Sequence, residues 1–220
     1  MNFSFKSLLA AVLLLCSTVA TAHDFEVGGI FYNITSGTEK TVEVTYKGDS
    51  YSAYSNEYTG DVTVPSTIAY NGETYSVTSI GYMAFYNCFY LVSIEIPGSV
   101  TSIGNSAFSY CFGLTSIEIP GSVTSIGDGA FFYCSGLTSV TSLATTAPGL
   151  GSYAFYGISS DATLYYPAGS DYSSWARYFA NIEEITEEFP EEEEVFGDLN
   201  SDGTVSVSDI QVLVNIILGN

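Results

Sequence analysis

The sequence predicts a solenoid of stacked β-strand repeats, with a parallel sheet and short helical or turn segments, followed by a small α module with a calcium loop. One observation is a motif that ends at Gly81, Gly104 and Gly127, and so returns every 23 residues. The other is an Asp-rich loop followed by an apolar segment near the C-terminus. Hydrophobic residues make up 46% of the 220 residues, enough to form a buried core.

The chain is strongly acidic. It has 24 Asp and Glu against 4 Lys and Arg, which gives a formal net charge of −20. Nucleic acids and anionic membranes are bound through basic surfaces, so both are excluded as partners. His23 is the single histidine, which excludes any mechanism that needs two imidazoles.

The first 22 residues have the pattern of a secretory signal peptide. Lys6 is the basic residue, residues 8–15 are apolar, and residues 20–22 (Ala-Thr-Ala) form a small-residue cleavage site. The apolar run is about half the ~20 residues that a membrane-spanning helix needs. We therefore expect an exported protein, secreted or at the cell surface, with a mature chain that begins at His23 and does not insert into the membrane.

The 23-residue units agree at many positions. After Ser-Val-Thr-Ser-Ile-Gly, each unit continues with Ala-Phe and then with a cysteine, at Cys88, Cys111 and Cys134. A fourth, diverged unit is one residue longer and has Ile158 where the others have cysteine. Because an apolar residue replaces cysteine there, we expect this position to be buried and the thiols to be structural. A disulfide between Cys88 and Cys111 is the alternative, and it leaves one thiol unpaired.

Each unit is predicted to form one rung of the solenoid. In Leu114-x-x-Ile117-x-Ile119 the apolar side chains share one face of a short strand, and Glu118 points away from it. Pro120 then turns the chain into a second extended stretch. One unit cannot close a core by itself, whereas stacked units can. Four phenylalanines one unit apart are expected to stack along the axis: Phe85, Phe108, Phe131 and Phe155.

The unit at 114–134, LTSIEIPGSVTSIGDGAFFYC, resembles the BspA-like (Treponema pallidum-type) leucine-rich repeats. The resemblance covers residues 76–185. It implies a leucine-rich-repeat solenoid, closed by a C-terminal cap, and it does not indicate the ligand.

The segments that flank the repeats are predicted to be caps. Residues 23–75 contain alternating apolar residues and an Asn71-Gly72 turn signal, so they are predicted to form a β-rich N-terminal cap. At the other end, a last strand is predicted at 164–169. A short helix that contains the single tryptophan is predicted at 172–179.

An acidic linker is predicted at residues 186–195. Eight of the twelve residues from 183 to 194 are Glu, and a run of like charges repels itself and stays solvated. We interpret it as a spacer between the solenoid and the C-terminal segment.

The C-terminal segment has the spacing of a calcium-binding loop. The predicted ligands are Asp198, Asn200, Asp202, Thr204 through its carbonyl, Ser206 through a water, and Asp209. Gly203 permits the sharp turn, and an amphipathic helix follows the loop. Together, residues 196–220 resemble one type I dockerin repeat. The resemblance implies a Ca²⁺ cofactor and docking to a cohesin-like partner or a polysaccharide-degrading complex.

Two sets of residues suggest other functions. Glu95 and Glu118 lie one rung apart, about 4.8 Å, which is near the separation of the carboxylates in a retaining glycosidase. An exposed ladder made by repeat duplication is favoured, because no third acid or set of pocket residues accompanies the pair. Tyr51, Tyr54 and Tyr58 could stack on sugars, although packing within the cap is favoured.

The predicted function is that of an exported, non-enzymatic binding protein. The solenoid would recognise a protein, such as one on a host surface, or a glycan, and the calcium module would dock the chain to a partner. One alternative is a BspA-type surface adhesin whose calcium loop is only structural. The other is a glycoside hydrolase that uses Glu95 and Glu118.

Overall fold

The computed structural model describes residues 23–48 and 56–185. These residues form fourteen β-strands and one short 3₁₀ helix, at Ala176–Tyr178. The strands are β1 Phe25–Val27, β2 Ile30–Ser36, β3 Thr41–Thr45, β4 Gly60–Thr63, β5 Thr67–Tyr70, β6 Glu73–Ile80, β7 Leu91–Glu95, β8 Ser102–Ile103, β9 Ser116–Ile119, β10 Ser125–Ile126, β11 Ser139–Ser142, β12 Gly149–Leu150, β13 Thr163–Pro167 and β14 Asn181–Ile185. The predicted signal peptide, acidic linker and calcium module lie outside the described residues.

The repeats form parallel sheets from both extended stretches of each unit. One sheet continues from β6 through β8 and β10 to β12, and the N-terminal strands β1, β2, β3 and β5 extend it. A second sheet has the order β14-β13-β11-β9, and β4 pairs with β7 in a two-stranded sheet. The prediction of one parallel sheet is therefore incomplete. The second stretch is short, but it pairs with its copies because stacking brings identical backbones into register.

Residues one repeat apart lie opposite each other in the sheets. Ile103 pairs with Ile80 on one side and with Ile126 on the other, and Ile126 pairs with Leu150. The three isoleucines are at most 2% exposed. The 23-residue interval therefore corresponds to one rung, and each rung covers the apolar side chains of its neighbour.

The predicted phenylalanine ladder is confirmed. The ring centroids of Phe85, Phe108, Phe131 and Phe155 follow one another at 5.0, 5.1 and 4.9 Å, with planes within 5° of parallel. Aromatic residues of the caps cover both ends. Tyr58 lies 4.6 Å from the first ring, and Trp175 lies 5.3 Å from the last.

Glycine at the end of each Ser-Ile-Gly motif lets neighbouring rungs approach. A Cβ atom on Gly104 would lie 2.7 Å from the backbone carbon of Gly81, and one on Gly127 would lie 2.8 Å from that of Gly104. Real Cβ atoms do not make such contacts with backbone. Glycine is therefore required at these positions by the close approach of the backbone of the neighbouring rung, and not by the turn in which it lies.

Both caps are built from regular structure. The Asn71-Gly72 turn joins the antiparallel strands β5 and β6, and both turn residues have positive φ, at 51° and 78°. At the other end, the predicted strand is present as β13, whereas the predicted helix at 172–179 is reduced to one turn of 3₁₀ helix.

The last strand was not predicted. β14 pairs in parallel with β13 and includes Glu183 and Glu184, which the sequence assigned to the acidic run. Both carboxylates belong to a strand whose first four residues are exposed, so solvation of the charges does not prevent pairing of the backbone.

Candidate functional site

The predicted metal site cannot be placed on this fold. Its ligands, Asp198, Asn200, Asp202, Thr204, Ser206 and Asp209, lie outside the described residues. Within residues 23–48 and 56–185, no cluster of three or more His, Cys, Asp or Glu side chains could hold a metal ion.

Glu95 and Glu118 lie on exposed positions of separate strands. Glu95 on β7 is paired with Thr63 and accepts a hydrogen bond of 3.3 Å from its hydroxyl. Glu118 on β9 is paired with Thr141. Neither carboxylate lines a cavity among the described pockets. Both carboxylates are exposed, as the sequence interpretation favoured, and their strands belong to separate sheets.

The three cysteines of the described chain are free and buried. Cys111 and Cys134 donate to the carbonyls of Phe85 and Phe108, at 3.1 and 3.0 Å. Burial raises the pKa of the Cys88 thiol to about 12, and it raises the pKa of Cys111 well above its usual value. The thiols are therefore structural, as predicted, and the alternative disulfide is not formed.

Tyr58 belongs to the cap and not to a sugar-binding surface. It is buried, it donates to the carbonyl of Thr45 at 2.8 Å, and it accepts from the amide of Phe31 at 3.1 Å. Packing within the cap was the favoured interpretation. Tyr51 and Tyr54 lie outside the described residues.

Exposed and half-buried aromatic rings cover the turn that follows each buried phenylalanine. Most of them occupy the two positions between phenylalanine and cysteine in the Phe-x-x-Cys part of the repeat. We call this set the aromatic surface: Tyr86, Phe89, Tyr110, Phe112, Phe132, Tyr133, Tyr153 and Tyr156. Neighbouring rings are in contact within and across the rungs, with centroids between 4.6 and 6.0 Å apart. The rings therefore form one continuous patch.

The aromatic surface contains a groove of about 520 Å³, which we call the turn groove. Its aromatic lining is Tyr86, Tyr110, Phe132 and Tyr153. Ser109 occupies the position that a ring holds in the rungs on either side, at Tyr86 and Phe132. Because serine replaces an aromatic ring at this position of the second rung, the surface is recessed there.

A carboxylate lies at this groove in a fixed orientation. One oxygen of Asp128 accepts a hydrogen bond of 2.6 Å from the backbone amide of Ser152 on the next rung. In the same way, the side-chain oxygen of Asn105 accepts from the amide of Asp128 at 2.8 Å. The side chain of one rung thus binds the backbone of the next, which holds the exposed charge of Asp128 beside the rings.

Three tyrosines of the aromatic surface have left-handed backbone conformations: Tyr153, with φ 58°, and the two that directly precede a cysteine of the repeat. Tyr110 has φ 64° and Tyr133 has φ 54°. The equivalent residues of the first and fourth rungs are Asn87 and Gly157, which are the residue types that favour this region. A tyrosine at such a position costs about 1–2 kcal/mol relative to a right-handed conformation.

The turn groove was not predicted from the sequence. The signal was present, since an aromatic residue occupies at least one of the two positions before each cysteine or its substitute. The tyrosines weighed as sugar contacts were those of the N-terminal cap, because the spacing of Tyr51, Tyr54 and Tyr58 is the more visible pattern. The surface becomes visible when the variable positions of the units are compared with one another.

Comparison with known families identifies the repeat. Residues 73–186 match the family described as BspA type leucine rich repeat region, in 6 copies. The chain belongs to this family. None of the curated proteins compared matches the chain. The match covers the repeats and their C-terminal cap, and it indicates no catalytic family.

Solved structures of the same class resemble this chain. A leucine-rich repeat protein from Bacteroides ovatus is 29% identical with a TM-score of 0.54, over 73% of this chain and 41% of that one. A leucine rich cell surface protein from Faecalibacterium prausnitzii is 26% identical with a TM-score of 0.50, over 73% and 42%. The chain thus spans about two fifths of the length of these two proteins. A leucine-rich repeat protein of T. pallidum is 20% identical with a TM-score of 0.49, over 72% and 81%.

Across the part of the chain that the structure describes, no helix has the length and apolar character needed to cross a bilayer.

Proposed function

We propose that this chain is an exported, non-enzymatic recognition protein whose repeats bind a protein or glycan through the aromatic surface. The observation that carries the proposal is the continuous patch of solvent-exposed rings along the turns. Tyr153 is 63% exposed, and Tyr156, Phe112 and Tyr133 are between 42% and 48% exposed. Contiguous exposed apolar patches of this kind mark interaction sites, and aromatic residues supply much of the energy in protein interfaces.

The family supports this proposal over an enzymatic one. Repeat solenoids of this kind present an extended surface on rigid stacked rungs, which suits recognition of a large ligand. The two carboxylates that suggested glycoside hydrolysis are exposed and are not gathered in a cleft, as a retaining mechanism would need.

A binding panel tests the proposal. The full-length chain would be immobilised and exposed to purified extracellular proteins and neutral polysaccharides. We expect saturable binding to at least one member, weakened tenfold or more in the double variant Tyr133→Asn/Tyr153→Asn. Both positions have positive φ, which asparagine accepts, so the rings are removed without strain.

The matched control is Tyr90→Gly. Tyr90 is 68% exposed but lies outside the turn groove, and glycine occupies its position in the next two rungs, at Gly113 and Gly136. We expect this variant to bind like the parent chain. Equal losses in both variants, or no binding to any member of the panel, would contradict the proposal. Release of sugar that disappears in Glu118→Gln would support the hydrolase instead.

We also propose that residues 196–220 bind Ca²⁺ through their Asp-rich loop and dock the chain in the manner of a dockerin repeat. The spacing of the loop residues supports this proposal. Extracellular Ca²⁺ near 1 mM would occupy a site with a Kd of about 10⁻⁴ M and stabilise it by roughly 1.4 kcal/mol.

Calorimetry on the full-length chain tests the calcium proposal. We expect one Ca²⁺ to bind, and we expect Asp202→Ala to abolish binding. Calcium-dependent pull-down of a cohesin-like protein would support docking. A chain that takes up no Ca²⁺ at millimolar concentration would contradict the proposal.

A surface adhesin with a purely structural calcium loop is the second candidate. It is favoured by the similarity to a leucine rich cell surface protein, at 26% identity. Deletion of residues 196–220 distinguishes the two. Adhesion that is unchanged by the deletion supports the adhesin, whereas loss of attachment to a partner complex supports docking through the loop.

A further inference from the structure

We infer that the turn groove binds a basic segment of a protein ligand, with an Arg or Lys side chain against the rings of Tyr110 and Phe132 and its charge beside Asp128. This inference rests on the proposed function and names the ligand class for the same surface. It is carried by the charge of the chain, by the composition of the groove and by the backbone conformation of Tyr110.

The charge of the chain favours a cationic ligand. The full chain has a formal net charge of −20, and the described part has fourteen Asp and Glu against three Lys and Arg. The three described cations are Lys40, Lys47 and Arg177, and none of them lines the turn groove. An anionic ligand would be repelled, whereas a basic segment would be attracted over a distance of about one Debye length.

The composition of the groove matches an Arg or Lys side chain. Cations bind over the faces of aromatic rings, and the groove offers four rings with a carboxylate beside them. The protein already uses this contact elsewhere. Lys40, Lys47 and Arg177 lie 5.5, 5.7 and 4.8 Å from the ring centroids of Tyr75, Phe31 and Tyr178. The volume of about 520 Å³ falls within the usual range of ligand sites, and it exceeds that of one side chain.

The backbone conformation of Tyr110 supports a binding role for its ring. Its position has a left-handed conformation in every rung, and the first and fourth rungs place Asn87 and Gly157 there. Either residue would relieve the strain in the second rung. The ring of Tyr110 is nevertheless retained, in contact with Tyr86 and Phe132 at 5.7 and 5.8 Å. Residues with strained backbone conformations cluster at functional sites.

Two other occupants are outcomes of the test. A neutral glycan would use the rings and the serine hydroxyls of the groove, and its binding would not depend on the charge of Asp128. A second copy of this chain would have to bring like charges together, and the interaction would therefore strengthen with salt.

Peptide titration of the full-length chain is the experiment. The probe is a synthetic peptide Gly-Arg-Lys-Gly-Arg-Gly, and the matched peptide has Gln at its three basic positions. Binding is measured by calorimetry at 50 and 300 mM NaCl. We expect saturable binding of the basic peptide only, weakened at least threefold by the higher salt concentration.

Two variants remove the charge and the ring separately. Asp128→Asn retains the amide contact to Ser152, since Asn105 makes the same contact one rung earlier. Tyr110→Asn places in the second rung the residue type found at the first. We expect affinity to fall at least fivefold in the first variant and tenfold in the second, with a melting temperature that is unchanged or higher.

The controls are variants that remove negative charge outside the turn groove. Glu95→Gln removes an exposed carboxylate outside the groove, and Gln at residues 191–194 removes four charges of the acidic run. Both are expected to bind the peptide like the parent chain. If either control weakens binding as much as Asp128→Asn does, the attraction is non-specific and the inference is wrong.

The remaining outcomes also decide the question. Suppose that neutral glucan oligosaccharides bind, and that Tyr110→Asn abolishes this binding whereas Asp128→Asn does not. This result would overturn the basic-segment inference and leave the proposed function intact. Self-association that depends on Tyr110 in sedimentation would overturn it as well. If neither peptide binds but a member of the binding panel does, only this inference is overturned. If no member of the panel binds, the proposed function is overturned.

Discussion

The ring of Phe131 lies 5.1 Å from that of Phe108, and their planes are 5° from parallel. Both side chains are fully buried, and each belongs to a different rung. The contact adds to backbone hydrogen bonds between the same two turns, such as the one from the amide of Phe108 to the carbonyl of Ala130 at 2.7 Å. It recurs along the axis of the solenoid.

Removal of one ring from this ladder should destabilise the array. Phe108 contacts a ring on each side, so Phe108→Ala leaves a cavity between two rungs. We expect the free energy of unfolding to fall by about 3–5 kcal/mol, measured by urea denaturation with Trp175 fluorescence. Phe112→Ala, at a side chain that is 44% exposed, is expected to cost about 0.5 kcal/mol. Similar losses in the two variants would show that the ladder does not hold the rungs together.

A methyl group at Gly127 should separate two rungs. Its Cβ would lie 2.5 Å from the amide nitrogen of Asn105, and a backbone atom cannot move aside as the end of a side chain can. We expect Gly127→Ala to lower the free energy of unfolding by about 3 kcal/mol, measured by thermal denaturation. Gly98→Ala is the control, because nothing lies within 4 Å of its Cβ position. A stable Gly127→Ala variant would mean that the rungs are more loosely stacked than described.

The phenol of Tyr172 should anchor the C-terminal cap. Its oxygen lies 2.6 Å from the hydroxyl of Ser142 and donates to the carbonyl of Ala144 at 2.7 Å. Tyr172→Phe leaves both buried partners unsatisfied, and we expect it to cost about 1–3 kcal/mol in chemical denaturation. Tyr153→Phe, at an exposed position, is expected to change stability by less than about 0.5 kcal/mol. If the two variants lose equal amounts of stability, the hydrogen bonds of Tyr172 do not contribute to the cooperative unfolding of the chain.

Alkaline pH should destabilise the fold. Burial raises the pKa of Cys88 from 9.0 to about 12, so between these values the unfolded chain loses a proton that the native chain keeps. The thiol contributes its full stability below pH 9, and this contribution falls as pH rises from 9 to 12. We expect the melting temperature to decline across this range, and the decline to be smaller in Cys88→Ala.

Burial of tyrosines adds a second, later contribution. It raises the pKa of Tyr32 from 10.0 to about 12. The part of the decline that begins near pH 10 should therefore persist in Cys88→Ala. A melting temperature that is constant from pH 8 to 12 would contradict the assignment of buried, neutral thiols and phenols.

The repeat itself could be predicted from the sequence because its pattern is local. Apolar residues at Leu114, Ile117 and Ile119 face the core in any stacked arrangement, and the interval of 23 residues sets one rung. The Asn71-Gly72 hairpin was predictable for the same reason, since two residues determine the turn. β14 was not predictable, because its exposed residues Asn181, Glu183 and Glu184 give no apolar pattern and pair only through the backbone.

The turn groove was beyond local pattern because it depends on residues of several rungs. Ser109 creates it only by lying between Tyr86 and Phe132, and Asp128 is oriented only by the amide of Ser152. None of these relations exists within a single unit.

Taken alone, the order of residues determined that the chain is an acidic repeat protein with a periodic apolar face, because burial of that face requires only neighbours of the same kind. Tertiary structure decided where the exposed rings meet and which carboxylate lies beside them. The physical reason is that stacking places residues 23 positions apart about 5 Å from each other, so the surface is assembled from side chains that the chain itself keeps separate.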